Sequence, residues 1–421
     1  MDAPGNYYRA SGSQFAAQPP LVGTVRADLC VIGAGFTGMA AALAAAETGR
    51  TVVVLEAETV GSGASGRNGG QLIPGLRWSA GEMVEEFGLD GAQAIFRVAM
   101  MAVDRVAARI GKHDISCDLK QGHFEAAWKP NHFVAMARET ELLAREFNRP
   151  ELDLVEPADT GRHVSSQLYH GGVYDPRGGH FHPLNYVRGL ARAAVAAGAT
   201  IHEGTRVTAI QAGKKITILA PSGSVIADNL IVAADAWTGD LLPFARGHTV
   251  PILNYNIATA PLGSLADELI PGDAAIADSR FVLNYFRLSA DKRLIFGGGE
   301  KYRQSPPPSI ADFVRPYMTE VFPRLARTRI DHGWGGIVSV TLNRLPHLAR
   351  RENIWFAHGF SGHGALLTTL AGELLVEAID GDGDTFDTLA ALPHRRFPGG
   401  PFLAKPLATL GLLYYALKDR L

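Results

Sequence analysis

Ala27-Asp28-Leu29-Cys30-Val31-Ile32-Gly33-Ala34-Gly35-Phe36-Thr37-Gly38 reads as a buried strand that runs straight into G-x-G-x-x-G. An Ala-rich helical pattern follows over 39–48, then Gly49, then a second apolar strand over 51–55 that closes on Glu56. Gly33 permits the tight bend, Gly35 lets backbone approach a pyrophosphate, and Gly38 lets the helix pack close to the strand. Phe36 and Thr37 open the helix, where free amides and the positive dipole end favour phosphate. Glu56, with Ala57 behind it, stands where a carboxylate can accept hydrogen bonds from a ribose. Strand, helix, strand and acid in this register predict a dinucleotide-binding α/β domain.

The chain has 421 residues, 47% of them hydrophobic and 19% charged, enough for two domains with full cores. Forty basic against 42 acidic residues leave a net charge of −2, which argues against a nucleic-acid partner held by phosphate attraction. The two cysteines, Cys30 and Cys117, are too few for a disulfide framework or a thiolate metal site. The opening MDAPGNYYRA lacks a basic region followed by an apolar core, so no secretory signal is expected. The apolar run 29–46 is broken by glycines and already assigned to strand and helix, so no membrane span is expected and the cytoplasm is the default.

Residues 1–24 are polar and contain Pro and Gly, as expected of an arm lying over the surface. Apolar residues at helical spacing predict helices over 79–112, 131–147, 183–198 and 311–322. Strands are expected at 119–128, 205–212, 216–220, 229–234, 251–260, 281–288, 293–296 and 353–357. A helix over 365–379 and an amphipathic one over 401–421 complete the pattern.

Three segments select a flavin over a nicotinamide. The first is Gly63-Ala64-Ser65-Gly66-Arg67-Asn68-Gly69-Gly70-Gln71, small residues that can lie against a planar ligand and offer donors to its edge. The second is the apolar strand ending in Ala233-Ala234, followed by Trp237, suited to a return beside the diphosphate. The third, His358-Gly359-Phe360-Ser361-Gly362-His363-Gly364, precedes a helix whose start would stabilise an anionic reduced ring.

With these segments the sequence resembles the FAD-dependent D-amino-acid oxidase superfamily, and within it the γ-glutamylputrescine oxidases. Further matches are Gly178-Gly179-His180-Phe181-His182-Pro183-Leu184-Asn185, Tyr285-Phe286-Arg287-Leu288-Ser289-Ala290-Asp291, Gly297-Gly298-Gly299, Pro393-His394 and Phe397-Pro398-Gly399-Gly400. The resemblance implies a Rossmann-type FAD domain from 25–80, 166–245 and 331–421. A second, mainly antiparallel-sheet substrate domain would come from 81–165 and 246–330. It also implies that Val207 and Ala233 touch the cofactor. Asp235 stands where the family has a small or uncharged residue and is expected to turn away into solvent. No Cys or His occupies the family's attachment segments, so FAD is expected to be non-covalent.

Tyr285 and Arg287 alternate along one strand and share a face. Arg287 is expected to grip a substrate carboxylate. Trp334, followed by Gly335-Gly336, is expected to form an aromatic wall beside the flavin. His363 is the expected polar group over the ring. His180 and His182 lack acids or cysteines at ligand spacing, so no metal is expected. The implied function is FAD-dependent oxidation of an amine C–N bond, with a small amine as substrate and oxygen as acceptor. A γ-glutamylated amine is the leading substrate. Oxidation of D-amino acids, glycine or N-methyl amino acids, or an amine-tailoring step, is the alternative.

Overall fold

A computed structural model describes residues 5–301 and 307–400 of the chain. The expected amphipathic helix over 401–421 lies outside the described residues.

Two sheets form the molecule. The cofactor sheet runs, in order, His347–Arg351, Ile354–His358, Gly223–Val232, Gly23–Ile32, Val52–Leu55 and Thr200–His202. Its central four pairings, from Ile354–His358 across to Thr200–His202, are all parallel. Both faces are covered, which is why these strands are continuous apolar runs rather than alternating ones. Val31, Val54, Leu230 and Val232 are all fully buried. The hairpin Ile216–Ala220 and the short strand Ala209–Gln211 attach below, so the strand expected over 205–212 is shorter than its apolar pattern.

Helix Phe36–Glu47 crosses between the first two strands and is buried on nearly all sides. It packs against helix Pro183–Ala196, which starts on proline, and against Gly364–Ile379. A Cβ on Gly372 would collide with the Thr37 carbonyl, so glycine there sets how near the two helices lie. Helix Ala80–Lys112 starts on a Ser79–Glu82 capping box and breaks at Gly88, whose φ is 70°. It binds Gly364–Ile379 through Arg109 and Arg105, 2.5 and 3.1 Å from the buried Glu373 carboxylate. This helix, expected in the substrate domain, therefore packs on the cofactor layer.

The second sheet runs Ile330–Thr341, Thr249–Thr259, Leu294–Lys301, Tyr285–Leu288, Ala275–Asp278, Lys120–Ala126, Gly172–His180 and Gln71–Leu72. All of its pairings are antiparallel except that of Ala275–Asp278 with Lys120–Ala126. Gly172–His180 and Ile330–Thr341 belong to this sheet, although the sequence division grouped both stretches with the cofactor domain. Helix Ile310–Val321 closes its outer face over the stacked rings of Phe286 and Phe296, 5.3 Å apart. The strand expected over 281–288 begins only at Tyr285. Asp278 and Asn284 exchange bonds of 2.9 and 3.0 Å that close a turn between them.

The N-terminal stretch is not a surface arm throughout. Asn6 caps a short helix, Tyr7–Ser11, and Tyr8 is fully buried with its ring edge-on to Trp334 at 5.1 Å. Burial of the two adjacent aromatics, Tyr7 and Tyr8, ties this stretch to the core. Among the described residues no helix is long and apolar enough to cross a membrane.

Candidate active site

The two sheets enclose a cavity of about 1230 Å³. That exceeds the usual span of roughly 300–1,000 Å³ for a single small ligand, so a long cofactor and a second molecule both fit.

One end is built by the first βα turn. Gly33 holds φ 103°, and a Cβ there would meet the Ala233 carbonyl at 2.6 Å. A Cβ on Gly35 would meet Ser65 Oγ at 2.9 Å, and one on Gly38 would collide with the Gly33 carbonyl. The three glycines thus do what their spacing demands. The Ala34 amide donates to Glu56 at 2.8 Å and the Phe36 amide to Ser65 Oγ at 2.9 Å, while Gly35 and Thr37 line the cavity beside them. Glu56 also accepts from the Glu58 amide at 2.9 Å. Burial raises its pKa above the ordinary carboxylate value, against the pull of those two amides. Two backbone donors fix the carboxylate while lone pairs remain for a ribose. Ala57, Val207, Ala233 and the half-exposed Trp237 line the same end.

The middle is walled by the loop from Ala64 to Gln71 and by the start of helix Gly364–Ile379. That helix has no side-chain cap, and its first residues, Gly364 and Ala365, line the cavity as Phe36 and Thr37 do at the start of Phe36–Glu47. Two open helix starts on one cavity suit a ligand with both a diphosphate and an electron-accepting ring. Phe360, Ser361, Gly362, His363 and Gly364 line it, with Ser361 and Gly362 left-handed at φ 53° and 81°. His363 is buried against the backbone of Ile73 and Gly75. Burial, with the nearby Arg77 charge, lowers its pKa to about 3 and keeps the ring neutral.

Several expected contacts fall elsewhere. Arg287 is 2% exposed and lies behind the loop from Ala64 to Gln71, outside the large cavity. Its Nε donates to the Gly69 carbonyl at 2.8 Å, and its guanidinium also reaches the Leu288 carbonyl and the Tyr8 hydroxyl at 2.9 and 3.2 Å. It shares its face with Tyr285, as alternation requires, but the Gly69-Gly70 backbone covers that part of the face. Arg287 thus braces the loop rather than gripping substrate. Trp334 is fully buried and donates from Nε1 to the Arg67 carbonyl at 2.9 Å, so it supports the loop from beneath and forms no cavity wall. Asn68 is spent on the loop itself, accepting from the Gly70 amide and donating to the Ala64 and Ser65 carbonyls. Gln71 donates to the Ile276 and Phe286 carbonyls, at 2.7 and 3.2 Å. Gly70 and Gly359 do not line the cavity; each shapes a turn next to it, at φ 74° and 72°. Asp235 points inward, not into solvent. It lines the cavity and accepts from the Gly359 amide at 3.0 Å. His180 is held beside Asp273, and His182 caps helix Pro183–Ala196.

Tyr285 does line the cavity, with its hydroxyl bonded to Asn254. Its ring lies over Gly69 and Gly297, where a Cβ on either would strike it. Asn254, Asn256 and Arg77 are cavity residues that the motifs did not single out. The alternation Asn254-Tyr255-Asn256 on one strand was the signal available for the two asparagines.

A family profile described as "FAD dependent oxidoreductase" matches residues 28–378. The chain belongs to this family. FAD is accordingly the cofactor of this oxidoreductase, and the open helix starts and glycine cradle fit it. The FAD enzyme is 36% identical to gamma-glutamylputrescine oxidoreductase of Escherichia coli over 99% of this chain and 98% of that protein. It is 37% identical to the probable oxidoreductase OrdL of Haemophilus influenzae, over 99% and 97%. Its fold is also that of glycine oxidase from Geobacillus kaustophilus, with a TM-score of 0.74 at 19% identity, covering 85% of this chain and 95% of that one.

Proposed function

We propose that this FAD enzyme oxidises the C–N bond of a γ-glutamylated amine, such as γ-glutamylputrescine, in the cytoplasm. The product imine would hydrolyse to aldehyde and ammonia, and oxygen would take the electrons as hydrogen peroxide. The carrying observation is the end-to-end similarity to gamma-glutamylputrescine oxidoreductase, which no insertion or truncation interrupts at domain scale. Bound FAD supplies the hydride acceptor. The protein's own residues position and enclose the amine. Tyr285 and Asn254 form a hydrogen-bonded wall on the sheet side of the cavity. His363, neutral because of burial, adds no positive charge that would repel the amine. With Arg287 behind the loop, Arg77 is the guanidinium on the cavity wall beside His363 that we assign to the glutamyl carboxylate.

Peroxide release measured with γ-glutamylputrescine, putrescine, D-alanine, glycine and sarcosine tests this reading. The glutamylated amine should give the highest kcat/KM, because binding of its remote end orients the reacting carbon. A preference for D-alanine, glycine or sarcosine would overturn the substrate while leaving fold and cofactor in place. Denatured protein should release its yellow colour to the supernatant, and flavin retained on the chain would refute non-covalent attachment.

A further inference from the structure

Asp235 follows strand Gly223–Val232 and lines the cofactor cavity with Ala233 and Ala234. The Ala233 carbonyl lies so near Gly33 that a Cβ there would meet it at 2.6 Å, so this strand end abuts the phosphate-binding turn. Asp235 adopts the left-handed region at φ 43°, which aspartate tolerates. Its Oδ1 accepts from the Gly359 amide at 3.0 Å and thereby anchors the first residue of the loop that carries Phe360 to His363. An acid here opposes its ligand, because diphosphate and carboxylate repel in a site removed from water.

Among the described residues Asp235 forms no ion pair, although Arg67, Arg77 and Arg206 line the same cavity. His358, from strand Ile354–His358, and His347, from His347–Arg351, share a 3.0 Å bond, and burial holds both neutral, with pKa values lowered to about 3 and about 2. Ser339 is the residue that strand Ile330–Thr341 brings beside the carboxyl group. Asp240 on the following segment and Glu56 across the turn add further negative charge to the cavity.

We propose that Asp235 takes up one proton from solvent as FAD binds, so that the residue positioning the flavin loop also couples cofactor loading to pH. Burial already raises its pKa to about 6. The incoming diphosphate raises it further, so the complex holds more protons than the free protein. Affinity must then fall as pH rises through and above that value. Glu56 would give the opposite sign, since its ionised form accepts from the ribose.

The test is FAD dissociation from the holoenzyme between pH 5.5 and 8, followed by recovery of flavin fluorescence. The wild-type Kd should rise by up to tenfold per pH unit above about 6. Asp235→Asn keeps an oxygen for the Gly359 amide but carries no titrating proton, so its Kd should be flat and lower than wild type at pH 8. Asp235→Ala should be equally flat and weaker throughout. Calorimetry of FAD rebinding to wild type, in two buffers with different ionisation heats, should record uptake of up to one proton near pH 6.5. A flat wild-type profile, a slope retained in Asp235→Asn, or no proton uptake by wild type would each overturn the proposal.

Discussion

Arg287 shows how one residue can carry family-like chemistry in sequence and a different task in the fold. Its donors are spent on the Gly69 and Leu288 carbonyls and the Tyr8 hydroxyl. Arg287→Met keeps much of the volume but leaves those carbonyls without a charged donor, a loss of about 1.5–3 kcal/mol for such a bond. The melting temperature and FAD content should fall, with no selective rise in KM for a glutamylated over a free amine. A selective KM effect would return Arg287 to substrate binding. Glu56→Gln should weaken FAD roughly tenfold to a hundredfold, equivalent to about 1.5–3 kcal/mol, with far-ultraviolet dichroism unchanged. The turn at Gly33 and the acid at Glu56 were legible because every partner lies within one βαβ unit. Arg287 and Trp334 were not. Alternation names the face a side chain shares, but the loop covering that face comes from more than 200 residues away in sequence.

Among the elements, the two helices that meet at Gly372 govern the cofactor site, because both begin at the cavity. Gly372→Ala forces the added methyl toward the Thr37 carbonyl, and overpacking of this kind typically costs about 1–3 kcal/mol. We expect lower thermal stability and weaker FAD binding together, read by melting curves with and without added FAD. Loss of stability with unchanged FAD affinity would mean that the helix starts do not move with the contact. Helix Gly364–Ile379 was readable from its apolar periodicity and glycine-rich entry, and the buried strands from their unbroken apolar runs. Strand Tyr285–Leu288 is shorter than the 281–288 that the sequence predicts, because Phe281 and Leu283 continue the apolar pattern without joining the strand. They face the cavity from a turn closed by Asp278 and Asn284.

At the scale of the molecule, four imidazoles draw both sheets and the last described segment to one point. His347 bonds His358 at 3.0 Å, and the rings of His394 and His248 lie 4.2 and 4.7 Å from His347. Burial depresses their pKa values, to about 2, 3 and 4 for His347, His358 and His394. A folded-state value below the unfolded one, about 6.5, means stability is complete above that pH and drains as pH falls toward the folded values. Melting temperature should therefore drop steadily from pH 7 to 4.5, less steeply in His394→Phe, which keeps a stacking ring without a titrating one. Identical slopes would remove the cluster from the acid response. No sequence spacing announces this cluster, since its members are brought together by tertiary packing alone. Nor could the domain division at residue 81 foresee that helix Ala80–Lys112 would be claimed by Glu373. Tyr8 carries the same long-range logic into the timing of folding. Its seat is made by Arg287, 279 residues further along the chain, and by Trp334 beyond it. Tyr8 must wait, unpacked, until Arg287 and Trp334 have been translated, and its docking closes a loop of at least 279 residues. The seating of Tyr8 thus belongs late in folding, and a substitution that hinders it would strike that docking rather than formation of the first βαβ unit.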